Sequence, residues 1–147
     1  MLEVLVYMAI LAVVSAVAVE SVLFVYKAFG RTRVERRLNL NGDVAIETMI
    51  REIRASSNTV PGSSLFGSNP GVLKVGAKTF SVGGASALQE DGVNITSNVS
   101  VNNLIFYRQA TSTLSEIIKI ELTLSAGEGQ FLKTKNFYGS AVLRGAY

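Results

Sequence analysis

The chain has 147 residues, 48% of them apolar and 17% charged, with a net charge of +3. That composition excludes a wholly disordered chain and leaves room for one domain with at most one appendage. Cys and His are both absent. Disulfides, thiolate or imidazole metal sites and His-based triads therefore lack their members, and no enzyme activity, metal or cofactor is expected.

Val4 to Val19 reads VLVYMAILAVVSAVAV, with no charge, Pro or Gly, and the apolar character resumes after Glu20 and Ser21 as far as Tyr26. A helix from Val4 to Tyr26 reaches about 34 Å, enough to cross a bilayer core. The rest of the chain is too small to wrap such a helix, so a membrane span outweighs a buried soluble one. A cleaved secretory signal is disfavoured because the first charge, Glu3, is acidic. Glu20 is the flaw in the span: a carboxylate well inside hydrocarbon costs a few kcal/mol, and a position near the interface is its plain reading. The residues expected to face lipid or neighbouring helices are Val4, Leu5, Val6, Ala9, Ile10, Leu11, Val13, Val14 and Val17.

Lys27 to Arg37 carries five bases (Lys27, Arg31, Arg33, Arg36, Arg37) against Glu35. Beyond it Val34, Leu38, Ala45, Met49 and Ile53 recur at helical spacing, with Ile46 and Ile50 beside them. Glu47 precedes Arg51 by four residues, the favourable order for a helix pair. One helix from Leu2 to about Ser56 is expected. Gly30 and the run Asn39-Leu40-Asn41-Gly42-Asp43 weaken it, and two helices broken near Gly42 are the alternative.

Ser57 to Pro70 is loop by composition. Val72–Val75 and Thr79–Val82 then flank Gly76-Ala77-Lys78, and Ala87–Glu90 and Val93–Thr96 flank Asp91-Gly92, the strongest hairpin signal in the chain. Val99 to Arg108 reads as a strand, and Phe131 to Leu143 as one or two. In the clearest strand Ile118, Ile120, Leu122 and Leu124 face one way and Lys119, Glu121 and Thr123 the other. Short turns make the sheet antiparallel, with one apolar face needing cover. The expected fold is α+β, a long N-terminal helix packed on a C-terminal antiparallel sheet. Residues 1–29 form the apolar half of the helix, 30–57 its amphipathic half and 58–147 the sheet domain. Ile46, Met49, Ile50 and Ile53 should meet Ile118, Ile120, Leu122 and Leu124.

The start Met1-Leu2-Glu3-Val4-Leu5-Val6 resembles the prepilin-type methylation motif of type IV pilins and type II secretion pseudopilins. Met1 and Leu2 match the two apolar residues of that motif, and Glu3 matches its Glu. The Phe-Thr pair, the preceding Gly and the short basic leader of the family are not in the sequence. The chain is expected to begin inside the motif, so the methylated terminus falls on none of these residues. The β-rich second half and Ala141-Val142-Leu143-Arg144 are most similar to J-type minor subunits. The resemblance implies a pilin-like fold and a structural subunit, anchored in the inner membrane and then packed by its helix into a cell-surface or periplasm-spanning filament. It implies other pilin or pseudopilin subunits as partners, and a prepilin peptidase where a full precursor exists.

Glu3 has two readings. One is a carboxylate stabilised at a helix N-terminus by about 0.3–1 kcal/mol. The other, implied by the resemblance, is a group that pairs with a neighbour's terminal amine and sets the axial register. The basic cluster would by itself place the C-terminal part in the cytoplasm, against a pilin, and a basic leader upstream would reverse that bias. Five bases interleaved with Val34 and Glu35 read as a solvated face rather than a nucleic-acid site. Glu90-Asp91 reads as a surface turn whose carboxylates point apart, and the Asn94-Ile-Thr96 and Asn98-Val-Ser100 sequons are weak matches. The competing function class is a single-pass membrane protein with an extracytoplasmic β-rich binding or sensor domain.

A chain beginning near Gly30 keeps the stripe and the sheet and loses the apolar segment. It is expected to be a soluble folded monomer by size-exclusion chromatography and circular dichroism. Aggregation would overturn the two-part division.

Overall fold

A computed structural model describes residues 2–57, 59–110 and 115–144. The chain divides into two units, Met1–Arg33 and Val34–Tyr147. The fold is α+β. Helix α1 spans Leu2–Ala55 without a break, so the interruption allowed for near Gly42 does not occur. Two tertiary contacts show why Asn41 and Gly42 stay helical. The Asn41 amide donates to the Arg37 carbonyl one turn back at 2.9 Å, and its Oδ1 accepts the Ser97 N–H at 2.8 Å. Gly42 is buried against Phe137, whose ring occupies the space that a Cβ there would need. The propensity cost of glycine in a helix, about 1 kcal/mol, is thus set against a close approach that any larger residue would force the Phe137 ring to give up. The helix ends where the Ser56 N–H donates to Glu52 at 3.1 Å, with the Ser56 hydroxyl on the same carbonyl at 2.9 Å.

The strands are β1 Leu73–Val75, β2 Lys78–Val82, β3 Leu88–Glu90, β4 Val93–Asn94, β5 Ser100–Ala110, β6 Ser115–Ala126 and β7 Lys133–Arg144. Two antiparallel sheets result rather than the single one expected, β1-β2-β3-β4 and β5-β6-β7. The β3–β4 hairpin is too short to offer β5 an edge, and Asn98, at φ 57°, turns the chain before β5 begins. Asp91 and Gly92, at φ 52° and 81°, form the two-residue loop that its sequence signalled, both central residues being left-handed as strand twist requires. The segment Phe131–Leu143 yields one strand, preceded by a 3-10 turn at Gly129–Phe131.

The loop after α1 covers sheet edges. Val60 N–H donates to Lys74 at 3.1 Å, while Gly67 and Gly71 N–H donate to the Phe106 and Leu104 carbonyls at 2.8 and 2.7 Å. Asn69 Oδ1 accepts the Leu104 N–H at 3.1 Å. An open edge would otherwise template further strands.

The core joins the predicted helix stripe to both sheets. Val34, Leu38, Ala45, Met49 and Ile53 are buried, with Gly42 in the same row. They share one cluster with Leu73, Val75, Phe80 and Leu88 of the first sheet, and with Leu104, Phe106, Ile118, Ile120, Leu122 and Leu124 of the second. Ile46 and Ile50 are only partly buried, because they lie on the flank of the stripe, over Gly139 of β7. Lys119 is exposed, and Glu121 is half-buried on the outer face beside Tyr107. Arg51 pairs with Glu52 at 3.5 Å rather than with Glu47.

Two outcomes follow for the fragment from Gly30. Met49→Ala should destabilise it by about 2–5 kcal/mol, as for a fully buried methionine, and Lys119→Ala by less than about 0.5 kcal/mol. Denaturant melts giving equal effects would contradict this packing. The second outcome concerns acid. The Glu116 carboxyl is held below the usual carboxylate range, chiefly by its hydrogen bond from Arg108 and also by the Thr59 hydroxyl at 2.8 Å. Folding favours its charged form, so its contribution is complete above the ordinary carboxylate pKa and is lost as pH falls through the lowered one. Melts between about pH 5 and about pH 2 should show stability falling on acidification, with a shallower slope for Glu116→Gln. An unchanged slope would remove Glu116 from the account.

Candidate functional site

In the first unit every described residue from Leu2 to Phe29 is exposed. Val4, Leu5, Val6, Ala9, Ile10, Leu11, Val13, Val14 and Val17 all stand open, on every side of the helix. This part of α1 is long and apolar enough to cross a membrane. An apolar surface of this extent has no counterpart on ordinary soluble monomers. Backbone polar groups are met inside the helix, as a medium without water demands. Two of its hydroxyls turn back on the backbone too: Ser21 Oγ donates to the Val17 carbonyl at 2.8 Å and Thr32 Oγ1 to the Ala28 carbonyl at 3.0 Å.

Glu3 lies in the first turn of α1, where the helix N-terminus favours a negative charge. Glu20 is the next carboxylate in the chain. Its neighbours one turn away are Ala16, Val17, Leu23 and Phe24, none of which can neutralise it. Lys27, Arg31 and Arg33 are exposed at the C-terminal end of the same unit.

The second unit opens with Arg36 and Arg37, also exposed. Among the described residues none of the five bases forms an ion pair, whereas Glu35 is taken by Lys133 at 2.9 Å. The Lys133 hydrogen bond holds the Glu35 carboxyl below the usual carboxylate range. Next to it Lys135 donates to Asn39 Oδ1 at 2.7 Å and lies 5.3 Å from the centre of the Phe137 ring. The sole acid of the basic segment therefore serves the helix–strand contact.

Other sequence candidates resolve into structure. Glu90 and Asp91 do not point apart: both reach Lys78, at 2.8 and 3.3 Å, because Asp91 lies in the left-handed turn rather than on the strand. Asp91 Oδ1 also accepts the Thr79 N–H at 2.8 Å, which with Lys78 holds its carboxyl below the usual range. The Thr96 hydroxyl is buried and accepts the Leu88 N–H at 2.9 Å. Phe106 and Phe137 belong to the core, while Tyr107 and Tyr138 are exposed on the outer face of the second sheet. Among the described residues no three Asp or Glu side chains gather where they could hold a metal ion.

Sequence reasoning missed the seat of Phe137 on Gly42 and the clasp of Asn41 on Ser97. Both lie in a segment whose composition signals only a helix break, and their partners are far off in the chain. No protein-family model, no curated protein and no solved structure matches this chain.

Proposed function

We propose that the chain is a structural subunit of a pilin-like filament, of the type IV pilus or type II secretion pseudopilus kind. It is held in the inner membrane by its apolar helix and then packed by that helix among other subunits of the same class. One observation carries the reading: the first unit is a helix with apolar side chains on every side and no protein cover. Lipid tails and neighbouring apolar helices are equally good surroundings for it, so one segment serves the membrane-bound subunit and the assembled fibre. Sidedness follows from the same scheme, with the β-rich unit outside the cytoplasm. A precursor carrying a short basic leader would be the substrate of a prepilin peptidase.

Glu3 is the assembly residue in this proposal. In lipid its charge is met by the helix N-terminus and the interface. In a bundle of apolar helices it needs a cation, and a neighbour's terminal amine at one axial offset supplies it. Glu3→Ala should leave membrane insertion intact and sharply lower recovery in sheared fibres. Full recovery of the Glu3→Ala chain would reject the register role. A wild-type chain that stays in the membrane fraction under all fibre-forming conditions would favour the single-pass sensor class.

A further inference from the structure

We infer that Glu20 binds Lys27 of a second copy of this chain, so that adjacent apolar helices pack in parallel with a stagger of seven residues. The inference rests on the filament reading and adds a second contact, with a neighbour other than the one whose terminal amine meets Glu3. Glu20 is the only carboxylate between Glu3 and Glu35, and it is set among Ala16, Val17, Leu23 and Phe24. Nothing on its own helix can reach it from one turn away. At 3.6 residues per turn, positions seven and eleven along return to within about 20° of the same side. Lys27 and Arg31 occupy those two positions. Glu20, Lys27 and Arg31 therefore form one exposed stripe, continued towards the N-terminus by Ala16, Val13 and Ala9.

Lys27 lies about 10.5 Å further along the axis than Glu20, too far for a pair within one helix. A parallel copy shifted by that amount brings its Lys27 level with Glu20. Copies inserted by one route share one orientation, so parallel packing is the relevant case. Level packing on this stripe would set Glu20 against Glu20, two like charges in a medium of low dielectric. The shifted contact uses different residues on its two sides, so it does not close on itself and propagates from copy to copy. A charge that opposes residence in lipid thereby favours the assembled state.

The chain has no Cys, so introduced cysteines are its only thiols. Ala16→Cys with Leu23→Cys places two thiols seven residues apart, one in the stripe and one on its flank, and keeps Glu20 and Lys27. The full chain carrying both is expressed from its own gene and oxidised in membranes and in sheared fibres. The pair should give a ladder of crosslinked chains, and neither single cysteine should give dimers. The ladder should fall severalfold with Glu20→Lys and return with Glu20→Lys/Lys27→Glu. Dimers from Ala16→Cys alone would mean level packing and overturn the inference. A ladder from Val13→Cys/Phe24→Cys instead, eleven residues apart, would assign Arg31 and overturn it as well. Absence of crosslinks in both fractions would also overturn it. A ladder in membranes with no fibres at all would uphold the pairing and reject the filament reading.

Discussion

The Phe137 ring occupies the space that a side chain at position 42 would fill. That contact sets how closely α1 can approach β7. The next two turns of the helix follow the same line: Ile46 and Ile50 lie over Gly139, where a Cβ would come within 3.0 and 3.2 Å of them. The absence of side chains at 42 and 139 lets a bulky row on one element settle into a bare stretch of the other. Burial of apolar surface at about 25 cal/mol per Å² is then available to Leu38, Met49 and Ile53 at once. The polar groups beside this line follow the same geometry. Lys133 reaches Glu35, Lys135 reaches Asn39, and Asn41 reaches the Ser97 backbone.

The two units meet opposite physical demands with the same element. In the second unit α1 buries one apolar row, flanked by Ile46 and Ile50, and the remaining sides are mostly charged or polar, with Leu40 and Val44 exposed among them. In the first unit it shows apolar side chains on every side, with Glu20 as the one charge between Glu3 and Lys27. The former pattern belongs to a helix half-immersed in a domain, the latter to one immersed in lipid or in other helices. A soluble protein could satisfy the first demand alone. The second demand needs a medium or partners beyond the chain, and it is the physical basis of the proposed filament.

Polar groups inside the second unit are met in the same economical way. Among the described residues no buried side-chain nitrogen or oxygen lacks a partner. Thr59, Thr96 and Ser64 are buried, and each hydroxyl is paired: Thr59 with Oε2 of Glu116, whose other oxygen is held by Arg108, Thr96 with the Leu88 N–H and Ser64 with the Lys74 N–H. These links tie the loop after α1 to both sheets, so the segment that reads as structureless by composition is fastened along most of its length.

Local pattern alone determined the apolar segment, the row Val34, Leu38, Ala45, Met49 and Ile53, the alternation of Ile118 to Leu124 and the Asp91-Gly92 turn. Each is a local pattern, set by the period of the backbone or the φ a residue tolerates, so no distant part of the chain is needed to recognise it. The exposure of residues 2–29 was equally legible, since it follows from the lack of any element in the chain able to cover them. Tertiary structure decided the rest. Gly42 continues a helix because Phe137, far away in sequence, needs its space. Ile46 and Ile50 stay half-buried because the row that faces the core is centred on Met49 and Gly42. The strands split into two sheets because the β3–β4 hairpin is too short to carry pairing across to β5. Propensity describes what a residue prefers by itself; these outcomes were settled by which atoms the folded chain brings within contact.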